Sequence, residues 1–149
     1  MDPLQTSIRL PLNCDYFLKN LRFERCSQEE SIAWHIRLLI TTSFGECAFD
    51  PEFGCEIWEH EFEHAQVSRI WIDKMAVQMK SMLERYEKRL QKVDVKATVT
   101  EEELRTESDG RSLVRVQKSL RIHVTGHIAS TNEPFYFKDK IFLSPFATE

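Results

Sequence analysis

The chain lacks the features that would place it in a membrane, among secreted proteins or among nucleotide-using enzymes. No run approaches the roughly 20 uninterrupted apolar residues a spanning helix needs, and Met1-Asp2-Pro3-Leu4 has neither the basic segment nor the apolar run of a secretory signal. The four cysteines, Cys14, Cys26, Cys47 and Cys55, form no C-x-x-C pair. With no signal, that pattern argues against a disulfide framework and for small hydrophobes in a reducing compartment, so a cytoplasmic protein is expected. No repeat, low-complexity run or Gly/Ser linker divides the sequence. Excess positive charge is absent too: the formal net charge is −4, which gives no pull toward nucleic acid or anionic lipid. The G-x-S-x-G elbow, the phosphate loop and the dinucleotide fingerprint are all missing.

What is present fits one globular domain. The 149 residues are 42% hydrophobic and 30% charged, enough chain to bury a real core. Residues 1–26 are weakly patterned, with Asn13, Asp15 and Asn20 read as helix breakers, and an extended arm with a short strand over 8–12 is expected. Ser27-Gln28-Glu29-Glu30 is a capping box. Ile32, Ile36, Leu39 and Ile40 follow at helical spacing, which predicts an amphipathic helix over 28–42. After an irregular stretch with Pro51 and two glycines, a second helical region is expected from about 56 to 93, with a possible break near 65. Val67, Trp71, Met75, Met82, Tyr86, Leu90 and Val93 mark one face of it.

From Val93 the apolar period changes from 3.6 to 2. Val95, Ala97 and Val99 alternate with polar residues. So do Val114, Val116, Leu120, Ile122, Val124 and Ile128, and then Phe135, Phe137, Ile141 and Leu143, with turns at Ser108-Asp109-Gly110 and Asn132-Glu133-Pro134. The expected architecture is α+β: N-terminal helices, including one long helix, packed on a small antiparallel three-stranded meander. Residues 1–26 form the arm and 27–149 the single domain.

Several patterns invite a chemical reading. His60-Glu61-Phe62-Glu63-His64 satisfies H-E-x-x-H, which in zinc hydrolases supplies two ligands and a base. The alternating Glu59, Glu61 and Glu63 make it look like a solvated face, and no spacing selects a third ligand. Cys47, Cys55, His60 and His64 make an irregular set for a structural zinc. His123 and His127, with Arg115 and Arg121, form a mildly basic row that reads as a solvated sheet face rather than a nucleic-acid site. Glu84, Glu87 and the acidic run 101–103 offer carboxylates, though nothing in the spacing pairs them for glycoside hydrolysis.

One ordered set of pieces carries a resemblance. Ile36-Arg37-Leu38-Leu39-Ile40-Thr41-Thr42, then Gly45-Glu46, then Pro51-Glu52-Phe53-Gly54, and later Tyr86-Glu87-Lys88-Arg89 resemble the TssE and phage baseplate-wedge family, some of whose phage relatives are labelled lysozyme-like. The resemblance implies a structural baseplate subunit of a contractile, phage-tail-like machine such as type VI secretion. It implies no catalysis, metal or cofactor, and as partners other wedge subunits and the sheath protein, with no nucleic acid and no membrane. Glu87 and Arg89 match the family's E-P-R motif, whose proline is Lys88 here. Lys88 lets the helix run on past Glu87, so the two, two apart on a helix, point in different directions and cannot pair with each other; they are expected to reach partner or intrachain groups near the helix end. The family's sheath link by extended arms implies an open edge of the sheet as the docking site, without selecting which outer strand; the last strand, with Phe135 and Phe137 on one face and Lys138, Asp139 and Lys140 in its middle, is the expected edge in second place to the sheet as a whole.

Overall fold

The computed structural model describes residues 7–59, 69–108 and 111–143. Strand β1 (Ser7–Ile8) pairs antiparallel with β2 (Arg25–Cys26), and helix α1 (Cys14–Asn20) lies between them. The arm is therefore not simply extended. Asn13, read as a breaker, is instead the N-cap: its side chain accepts the Tyr16 amide at 3.0 Å. Asn20 donates back to the Tyr16 carbonyl, and Leu21 closes the helix in the left-handed region. No residue of α1 is buried, so local bonds rather than packing hold it.

Helix α2 (Gln28–Thr41) starts where the sequence places it. Ser27 and Glu30 exchange both bonds of the capping box, and Ile32, Ile36, Leu39 and Ile40 are fully buried. A 3₁₀ turn (Glu56–Glu59) precedes helix α3 (Arg69–Tyr86). Met75, Met79, Met82 and Leu83 form the buried stripe of α3, while Asp73, Lys80 and Glu84 face solvent. The helical region ends at Tyr86, short of the expected 93, and Leu90 and Val93 fill the core from a strand instead.

Strands β3 (Leu90–Ser108), β4 (Arg111–Ile128) and β5 (Pro134–Phe142) form the expected antiparallel meander, in the order β3-β4-β5. Opposed pairs fix the inner face: Val95 opposite Val124, Ala97 opposite Ile122, Val124 opposite Phe137 and Leu120 opposite Ile141. These residues pack with the stripes of α2 and α3 into one core, leaving the other sheet face uncovered by any described helix. Among the described residues no helix is long and apolar enough to cross a membrane.

Candidate functional site

The four pieces of the motif set converge. At the end of α2 the chain turns through Gly45, whose φ of +77° suits glycine; the Gly45 amide donates to the Pro51 carbonyl, and Glu46 accepts the Ser43 amide. Gly54 sits at φ +131°, and a Cβ there would stand 2.5 Å from the Thr42 carbonyl oxygen, so no other residue fits this close backbone approach. The corner is then tied to the end of α3. Tyr86 Oη donates to Asp50 at 2.9 Å, Arg85 pairs with Glu52, and the Tyr86 and Phe53 rings meet edge to face at 5.2 Å.

Beside this corner lies a buried charge network. Glu87 is 1% exposed. Its carboxylate accepts from Arg89 Nε at 2.8 Å, Arg89 Nη2 at 2.7 Å, the Arg89 backbone amide at 3.0 Å and His35 Nδ1 at 2.7 Å. Arg89 Nη1 continues to Ser31 Oγ at 2.9 Å. Burial pushes the Glu87 carboxyl up, but the hydrogen bonds from Arg89 and His35 outweigh it and bring it down to about 2. The expectation that Glu87 and Arg89 cannot pair is therefore overturned. Its premise was a helix through both residues, and α3 stops at Tyr86. Glu87 claims the Arg89 amide with its own side chain, and the chain turns there without the family proline. Lys88 caps the helix end by donating to the Glu84 carbonyl. The groups these two residues reach are intrachain ones on α2. Ser31 and His35 are contributors that sequence reasoning missed; their i, i+4 spacing on one face of α2 is the signal that was available.

The second candidate is the edge of β5. Phe135 and Phe137 are buried, at 0% and 9% exposure. Their side chains belong to the core, because this parity of β5 faces the helices. Lys138 is exposed and Lys140 half-buried. Leu143 donates its amide to the Lys118 carbonyl and Glu133 accepts the Ile128 amide, so odd-numbered residues turn their backbone toward β4. Tyr136, Lys138, Lys140 and Phe142 therefore turn theirs to the open edge. One of these outward amides, that of Lys140, is capped by Asp139 Oδ1 at 2.9 Å, and Asp139 is in turn gripped by Arg37 of α2 at 3.1 and 3.3 Å.

The arm supplies a third surface, with Leu12, Leu18 and Leu21 exposed by 53%, 72% and 82%. His60 and His64 lie outside the described residues. Cys47 is half-buried, and Cys55 is buried with its thiol pushed up to about 11 by burial. Among the described residues no group of three or more His, Cys, Asp or Glu side chains is placed to hold a metal ion. Cys14 is exposed, so only Cys26 and Cys55 behave as the buried hydrophobes expected. His123 is exposed while His127 is half-buried, and the side chain of Arg115 lies outside the described ones.

A family model described as baseplate wedge protein gp25 matches residues 26–133. A crystal structure of a candidate tail lysozyme from Geobacter sulfurreducens is similar in fold. Its TM-score is 0.56 at 22% identity, over 85% of this chain and 100% of that one, an identity at which only the fold is shared evidence. A search of the curated proteins found no match.

Proposed function

The chain belongs to the baseplate wedge protein gp25 family, and from that premise we propose that it is a non-catalytic baseplate subunit of a contractile injection machine of the type VI secretion kind. It works in the cytoplasm, joins the wedge and starts the sheath by strand pairing. The observation that carries this reading is the open edge of β5, where the backbone of Lys138 turns outward to an added strand while the neighbouring outward amide, that of Lys140, is held by Asp139. Lysines along that edge discourage random self-pairing while leaving the backbone usable.

Glu87 and Arg89 act from behind, by locking the end of α3 to α2 so that the sheet is held at a fixed attitude. Phe135 and Phe137 anchor β5 in the core. The exposed leucines of the arm form the surface offered to neighbouring wedge subunits. A non-catalytic role is supported by the state of Glu87. A glycosidase general acid needs a carboxyl held above its ordinary range, whereas this one is held down at about 2 and fully engaged.

The test is a proline at Lys138 or at Lys140. Each removes one outward amide and none of the bonds to β4, so both variants are expected to fold and to fail in seeding sheaths. Folded variants that still seed full-length sheaths would remove β5 as the docking edge.

A further inference from the structure

The open sheet face carries a row of exposed basic side chains. Lys96 on β3 stands opposite His123 on β4, and His123 stands opposite Lys138 on β5. All three are exposed. Successive strands are about 4.8 Å apart, so the two lysines stand about 10 Å from each other across His123. The adjoining row shows how such charge is normally compensated. Thr98, Arg121 and Lys140 are in register there, and Glu102 bridges the two cations, at 3.3 Å to Arg121 and 2.8 Å to Lys140. The row of Lys96, His123 and Lys138 has no such carboxylate. Asp94 lies on the same face two residues from Lys96 but makes no ion pair with it, and among the described residues none of the three side chains has a hydrogen bond or ion pair. A hollow of about 470 Å³, lined by Arg121, His123, Lys138, Asp139 and Lys140, runs from this row to the edge of β5.

We propose that this row selects the partner: an extended protein segment that carries carboxylates at alternate positions and pairs beside β5. The inference rests on β5 being the docking edge and adds the chemistry of what docks there. A strand laid against β5 extends every row of the sheet by one residue. Side chains alternate between faces with a period of two. Those on the open face would fall beside Lys138 and Lys140, where Asp or Glu would complete the uncompensated row. Those on the inner face would lie beside Phe137 and Ile141, where apolar residues would extend the core. Alternation of acid and apolar residues is thus the complement of this edge. A nucleic acid fits the same surface less well, because the carboxylate of Glu102 lies within the cationic patch, between Arg121 and Lys140.

The experiment uses the full chain and short acetylated peptides alternating valine with glutamate, glutamine or lysine, read by fluorescence anisotropy. A single-stranded oligonucleotide serves as competitor. The glutamate peptide is expected to bind at least about tenfold more tightly than the glutamine one, with the advantage shrinking as salt rises, and the lysine peptide is expected not to bind. Lys138→Glu combined with Lys96→Glu should reverse that order, while Lys80→Glu on α3 should leave binding unchanged. Equal binding of glutamate and glutamine peptides, both abolished by Lys138→Pro, would overturn the charge selection and leave the edge intact. A glutamate preference that survives Lys138→Pro would sink the edge instead. No peptide binding at all, or displacement of the glutamate peptide by a tighter-binding oligonucleotide, overturns the proposal.

Discussion

At Glu87 a single carboxylate joins three elements. It lies at the end of α3, takes its own chain's Arg89 and touches His35 of α2, with almost no exposure to water. Removing one partner of such a group costs more than the group gains in place, because the other charge stays half-buried and unpaired. Glu87→Gln is therefore expected to cost on the order of 3 kcal/mol at neutral pH, measured by urea unfolding. The pH dependence has a definite sign. The folded carboxyl sits at about 2 against an ordinary 4.5, so its stabilisation is complete above about 4.5 and drains away as pH falls toward 2. The wild-type chain should lose stability across that window more steeply than Glu87→Gln; parallel curves would show that the network carries no net stability. The sequence marked Glu87 and Arg89 through the motif but misjudged their geometry. Whether two residues two apart can meet depends on where the helix stops, and neither a glycine nor a proline marks that point.

Side chains, not a proline, stop α3. The family uses proline after the glutamate, which drives the preceding residue out of the helical region. Here the stop is achieved by side chains: Glu87 takes the Arg89 amide and Lys88 takes the Glu84 carbonyl. No backbone donation from Lys88 is found outside the helices and strands, so Lys88→Pro would remove no turn bond. It is expected to fold, with stability within about 1 kcal/mol of the parent, by urea titration followed with circular dichroism. Loss of the cooperative transition would mean that the lysine cap, not the carboxylate, ends the helix. Elements set by periodicity were legible in advance: α2 through its capping box and four isoleucine and leucine positions, and the meander through its alternation. Elements set by local side-chain bonds were not. Asn13 reads as a breaker because asparagine is poor inside a helix, yet the same competition for backbone amides makes it a good first cap. Asp139 looked like one more edge charge; its grip on Arg37 and on the Lys140 amide depends on α2 lying beside β5, which no local pattern encodes.

Across the whole molecule, the division into arm and domain can be weighed from packing. Of the arm's described residues only Cys26 is fully buried. α1 buries nothing, the short pairing of β1 with β2 and the Arg9–Glu24 ion pair lie within the arm, and Arg9 reaches the domain at Glu30. Surface ion pairs of that kind contribute about 0–1 kcal/mol each, and a two-residue ladder adds little more. The match to the wedge family also begins at residue 26, where the continuous core begins. The core drawn from α2, α3 and the sheet should therefore fold without what precedes it. Deleting residues 1–23, which keeps Cys26 and the capping box of α2, is expected to leave a cooperative unfolding transition with a midpoint within about 4 °C of the full chain's. The same deletion removes the exposed Leu12, Leu18 and Leu21, so it should lower retention on hydrophobic-interaction resin and weaken co-purification with wedge subunits, while sheath seeding by pre-assembled wedges is spared. A truncated chain that loses its cooperative transition would show that the arm is part of the folding unit. A stable truncated chain that still co-purifies fully with the wedge would move the wedge-facing surface onto the domain itself.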